Sequence, residues 1–128
     1  MLLRTSYGNR TSVVLRGAWV LDKLMGTPPT PPPPGVETNL DTPAGEQPKT
    51  VRARMELHRK NPTCAACHAL MDPFGFALEP FDAVGQYRTL DGTSPIDDSV
   101  TMYDGKSQLL IKNPINRYLI NSPMLLEM

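Results

Sequence analysis

The chain has 128 residues, with 13 Lys or Arg against 13 Asp or Glu, so its formal charge is zero with both histidines neutral. That balance excludes the electrostatic footprint of a nucleic-acid or membrane-surface binder, and no apolar run reaches the about 20 residues of a membrane-spanning helix. Aromatic residues are only 6%, and 14 Pro with 9 Gly interrupt regular elements, which points to one modest, loop-rich domain.

Residues 11–25 are predicted to form a helix. Thr11 or Ser12 caps it, Val14, Ala18, Leu21 and Met25 recur on one face, and Gly26 ends it. Val13, Leu15, Trp19, Val20 and Leu24 widen the apolar surface, so the helix is expected to be covered on more than one side, with Trp19 in the core. This N-terminal helix region spans 1–27. Residues 28–34, all Pro except Thr30, form a stiff spacer of about 20 Å at about 3.1 Å per residue, and loop continues to 49.

Thr50 caps a second predicted helix to residue 61, with Val51, Met55 and His58 on one side and Pro62 at its end. His58 therefore leads on the apolar side into Cys64-Ala65-Ala66-Cys67-His68. A short helix is expected to carry that motif to Met71 and to break at Asp72-Pro73. Phe74, Phe76, Leu78 and Phe81 follow around Gly75 and offer a wall for a flat apolar ligand. Turn signals at Asp91-Gly92, Pro95 and Asp104-Gly105 bracket extended pieces at 87–90 and 99–103, read as loop or a small hairpin. The segment 104–128 reads as the truncated start of a following helical domain, with Pro114 as a helix start and Leu125-Leu126 in an apolar tail.

The two cysteines carry the chemistry. Cys64, Cys67 and His68 stand at i, i+3 and i+4, so a helix projects all three from one side. Two thiols with an adjoining histidine in this order are the attachment signature of a c-type haem, with Cys64 and Cys67 as thioether tethers and His68 as proximal iron ligand. The sixth position is open between His58, a downstream methionine at Met102 or Met124, and no protein ligand. Met71 shares the helical face of His68 and reads as packing. Arg88 is a candidate partner for a haem propionate, while Asp72, Glu79 and Asp82 are expected to cap turns or pair with each other. A zinc site would draw on Cys64, Cys67, His68 and His58, but structural zinc sites bring two separated ligand pairs. A redox dithiol would need alternating strands and helices around the cysteines.

Beyond the motif, Arg10-Thr11-Ser12, Leu15-Arg16-Gly17, Trp19-Val20-Leu21, Gly26-Thr27-Pro28-Pro29, His58-Arg59, Met71-Asp72-Pro73, Gly75-Phe76-Ala77-Leu78-Glu79 and Phe81-Asp82 stand in an order and spacing of their own. With Cys64 to His68 they resemble the cytochrome-like domain of large planctomycete-type secreted proteins of unknown function, over residues 10–88. The family usually has Pro where this chain has Val13. The resemblance implies a haem-c module at 50–103 within a longer, multi-domain exported chain, periplasmic or associated with the cell envelope. Its partners would be a redox protein or neighbouring domains of the parent chain.

The expected fold is mainly α, a cytochrome c-like haem module of short helices with long irregular loops, a proline-rich spacer and one small hairpin. The leading functional expectation is electron transfer through haem c rather than catalysis by the module alone. A haem-dependent oxidoreductase or peroxidase-like module with an open distal site is the first alternative, and a structural zinc-binding module the second.

Overall fold

Ser12 accepts a hydrogen bond from the Leu15 N–H and so starts α1, Val13–Trp19. The structure, a computed structural model, describes residues 1–35, 50–102 and 105, and the backbone of two strands at 108–111 and 118–120. After α1 the chain widens into a π-type turn over Val20–Leu24, and Gly26, at φ 66°, ends it in the left-handed region that glycine adopts without strain. Trp19 is half-buried on this segment.

α2, Val51–His58, begins in the same way, with Thr50 accepting from the Ala53 N–H. Asn61 then accepts from the Thr63 N–H, and Pro62 opens α3, Pro62–Ala77, at a position where a missing N–H leaves no bond unmade. α1 and α2 match the sequence expectation in place and in cap. α3 corrects it, because the helix runs through Pro73 instead of breaking at Asp72-Pro73.

Two contacts explain the longer helix. The Asp72 carboxylate reaches back one turn to His68 rather than capping a turn. α3 also crosses α1 at two reciprocal glycines: a Cβ on Gly17 would stand 2.0 Å from the Met71 carbonyl oxygen, and a Cβ on Gly75 would stand 2.0 Å from that of Val13. Only glycine lets two backbones approach so closely. That packing holds the residues on either side of Pro73 in helical register despite the lost backbone bond.

The core lies at one end of this crossing. Val13 of α1, Met55 of α2, Phe76 and Ala77 of α3 and Val100 are buried together. Burying a side chain of the size of Met55, 1% exposed, contributes about 1.5–3 kcal/mol.

After α3 the chain turns on Asp82, whose carboxylate accepts from the Val84 and Gln86 N–H groups. β1, Leu90–Asp91, pairs antiparallel with β2, Ser94–Pro95, around Gly92 at φ 62°. β3, Val100–Thr101, β4, Gln108–Ile111, and β5, Tyr118–Ile120, form an antiparallel sheet in that order, with Val100 opposite Leu109 and Leu110 opposite Leu119.

The helices among the described residues thus all lie before residue 78, with more strand after them than one hairpin. The expectation of helix after residue 104 is corrected at 108–111 and 118–120. Short apolar runs such as Leu109-Leu110-Ile111 fit either state by periodicity, and pairing with β3 decides. The loop expected at 36–49, the extended end at Tyr103, and Pro114, Met124 and Leu125-Leu126 lie outside the described residues.

Candidate functional site

α3 presents Cys64, Cys67 and His68 to one cleft, and the end of α2 brings His58 to the same place. The cleft has a volume of about 310 Å³, within the about 300–1,000 Å³ of small-molecule sites. Val14, Met55 and Met71 give it an apolar lining, and Pro32 and Pro33 stand on another wall. The proline run is therefore part of the site rather than a detached spacer, and the Thr30 hydroxyl lies 3.6 Å from the Cys67 sulfur. Both thiols are free and partly exposed.

His68 is buried, and its Nδ1 lies 2.9 Å from Asp72 Oδ1. A carboxylate only accepts, so Nδ1 of the neutral ring carries the proton and Nε2 is left as the ligating nitrogen. Asp72 itself is fully buried. Arg59 Nε stands 3.7 Å from its other oxygen, close enough for an ion pair and too far for a hydrogen bond.

The His58 ring meets His68 edge to face, with centroids 5.1 Å apart and planes at 72°. Burial, and then the neighbouring His68, lower the His58 pKa, while the charge on Asp72 opposes them. The neutral imidazole, the form that can ligate a metal, is favoured. Cys64, Cys67, His68 and His58 line one cleft, but among the described residues no three His, Cys, Asp or Glu side chains are grouped closely enough to hold a bare metal ion.

The structure thus brings together Cys64, Cys67, His68 and His58, and it places the remaining predicted site residues elsewhere. Phe76 is in the core, with the Arg52 guanidinium 4.2 Å over its ring. Phe81 packs edge-on against Tyr87, and Phe74 is half-buried; none of the three lines the cleft. Arg88 donates to Glu79, Thr11 and Asp91 in a separate polar cluster. Met102 is half-buried and not among the lining residues. The carboxylates do not pair with each other: Asp72 meets His68, Glu79 meets Arg88, and only Asp82 caps a turn.

Three participants were not legible as site residues. Arg10, stacked 4.7 Å over the Tyr7 ring, is the only Arg or Lys among the described residues that line the cleft, and Tyr7 lines it too. Asp72 is the third, and its i, i+4 spacing from His68 was the available signal.

Two thiols and an imidazole on one helix face, set against a lined cleft and backed by a buried carboxylate, are an arrangement held in place by the whole α1–α3 crossing. The sequence likeness extends over the same region. Residues 1–91 match the family model PSCyt3, described as a protein of unknown function (DUF1588), whereas no curated protein and no solved structure matches the chain. The match takes in α1, α2, α3 and every residue of the cleft, and on that extent the chain belongs to the PSCyt3 family, a planctomycete-type cytochrome-like domain of unknown function.

Proposed function

We propose that the chain is a c-type haem module that passes electrons within a larger exported protein. The observation that carries the reading is the convergence of Cys64, Cys67 and His68 on one cleft, with His68 Nδ1 held by Asp72 so that Nε2 is the free nitrogen. The residues fit the group. Cys64 and Cys67 hold it by thioether bonds, and His68 ligates the iron. Val14, Met55 and Met71 keep water from that face. Arg10 takes the propionate-pairing role that the sequence alone suggested for Arg88. Bound there, the haem supplies a one-electron iron couple. Haem c is attached outside the cytoplasm, so a periplasmic or envelope location follows from the reading, with a redox protein or a neighbouring domain as partner.

A second reading, a haem-dependent oxidoreductase with an open distal side, is favoured by the position of His58. His58 packs edge to face against the His68 ring, with centroids 5.1 Å apart and planes at 72°, so its ring is engaged with His68 itself. A zinc module is the weakest reading, because its four donors share a cleft but among the described residues no three are grouped closely enough to hold the ion.

The test is a pyridine haemochrome spectrum on protein exported with a c-type maturation system, taken after denaturation and extraction. The expected result is a haem-c spectrum that is lost in the double variant Cys64→Ser, Cys67→Ser. Carbon monoxide binding to the reduced protein then separates the readings: ready binding favours the open site, and slow binding that displaces a ligand favours electron transfer. Folded, exported protein with no retained haem overturns both.

A further inference from the structure

We infer that Asp72, backed by Arg59, is the positioning residue that sets the donor strength of His68 and so holds the iron couple at a low reduction potential. The inference rests on the haem reading and adds to it a regulator of the same site. Asp72 is the only carboxylate among the described residues in contact with His68, and it is wholly buried at the α1–α3 crossing. Burying a carboxylate is expensive, and an apolar residue of similar size serves packing as well or better. Its surroundings do little to offset that cost. Oδ1 is taken by the His68 ring, and Oδ2 has no hydrogen-bond partner and only Arg59 at ion-pair distance. A side chain kept at this cost, aimed at one ring nitrogen of a ligand, is explained by what it does to that ligand.

Its effect follows from second-shell chemistry. An imidazole whose N–H donates to a carboxylate is a stronger σ-donor at its other nitrogen than one that donates to a neutral acceptor. A stronger donor favours the ferric over the ferrous state and lowers the potential. Arg59, on the residue following α2, works in the opposite sense. Its positive charge draws on the same carboxylate from the far oxygen, so it tempers what Asp72 gives to His68. α2 therefore delivers two residues to one device: His58 beside the ring, and Arg59 behind the carboxylate.

The test is the reduction potential of the haem-loaded full chain and of Asp72→Asn, Arg59→Gln and the double variant. Asn keeps the size of the side chain and an acceptor for Nδ1 but removes the charge. Asp72→Asn is expected to raise the reduction equilibrium constant at least tenfold, which is about 59 mV for a one-electron couple. Arg59→Gln is expected to lower it several-fold, and that effect should shrink by at least half when Asp72 is already Asn. A residue that only braces the fold would move both potentials in the same direction or neither. Potentials unchanged within twofold, or Arg59→Gln effects that are the same in both backgrounds, overturn the inference while leaving the haem reading intact. If Asp72→Asn does not accumulate, Arg59→Gln decides: a lowered constant supports the inference, and an unchanged or raised one overturns it. A parent chain that carries no covalent haem overturns the inference and the haem reading together.

Discussion

Arg16 on α1 and His68 on α3 are both buried polar side chains on helices that cross, yet the two sides of the crossing treat them in opposite ways. Arg16 donates from its two terminal nitrogens to the carbonyls of Leu78, Phe81 and Asp82 at 2.8, 2.6 and 3.1 Å, and to the Ser6 hydroxyl. Beside it, the Thr11 hydroxyl donates to Glu79 and accepts from Arg88, so these groups close on one another. His68 has one ring nitrogen tied to Asp72 and shares a cleft with two free thiols. The difference separates building from chemistry. Polar groups that bond to one another, leaving Arg16 Nε, Arg88 Nε and Glu79 Oε2 without a hydrogen-bond partner among the described residues, fasten the segment after α3 to α1, and polar groups gathered at a cleft are available to something else.

The largest effect that tests this contrast is on the closed side. Arg16→Met keeps the length of the side chain and removes the charged donor shared by the Leu78, Phe81 and Asp82 carbonyls, of which Leu78 and Asp82 keep only the N–H groups of Phe81 and Gly85. It is expected to cost about 3–5 kcal/mol, the scale of breaking a buried charged network, measured by urea unfolding. A loss below about 1 kcal/mol would mean that the backbone bonds from the Phe81 and Gly85 N–H groups hold the segment and that Arg16 is not what fastens it.

Next comes the seam between the two sides. Gly75→Ala sets a methyl group 2.0 Å from the Val13 carbonyl oxygen, a backbone atom that moves only with its helix. Overpacking of this kind costs about 1–3 kcal/mol. Because the strain parts α3 from α1, thermal unfolding should show lowered stability. An unchanged transition would show that α1 and α3 move apart at the crossing without cost.

How much of this was legible in the chain depends on how local each cause is. α1 and α2 were readable because Ser12 and Thr50 cap them through bonds three residues away. The clustering of Cys64, Cys67 and His68 was readable for the same reason, since one helical turn sets it. The run of α3 through Pro73 was not, because its cause is the approach of Gly17 to Met71 and of Gly75 to Val13, more than fifty residues apart in sequence. Arg88 stands away from the cleft on similar grounds. It is nearer the motif's flanking acids in sequence, but the segment after α3 carries it to Thr11 and Glu79, while Arg10 reaches the cleft from the other end of the chain. Asp72 was misread by its neighbour: Asp-Pro signals a turn, and the competing i, i+4 bond to His68 wins once the helix is held by packing.

The smallest expected effect sharpens the comparison at its weakest point, because the closed side also contains one imperfectly matched acid. Glu79 is buried, Oε1 takes the bonds from Thr11 and Arg88, and Oε2 has no hydrogen-bond partner. Burial raises its pKa above the ordinary 4.5, and the Thr11 hydrogen bond and the Arg88 and Arg16 charges pull it back without cancelling the rise. The sign follows from linkage. As pH rises past 4.5, the unfolded chain releases this proton before the folded chain does, so Glu79 contributes most to stability below that value and loses the contribution as pH passes through its raised pKa. Glu79→Gln has no proton to release, so the stability difference, parent minus variant, is expected to fall from acid to neutral pH, measured by urea unfolding across that range. Parallel curves would mean that the Arg88 and Thr11 contacts fully offset the burial of the charge, and the closed side would then hold its acid as firmly as it holds its backbone carbonyls.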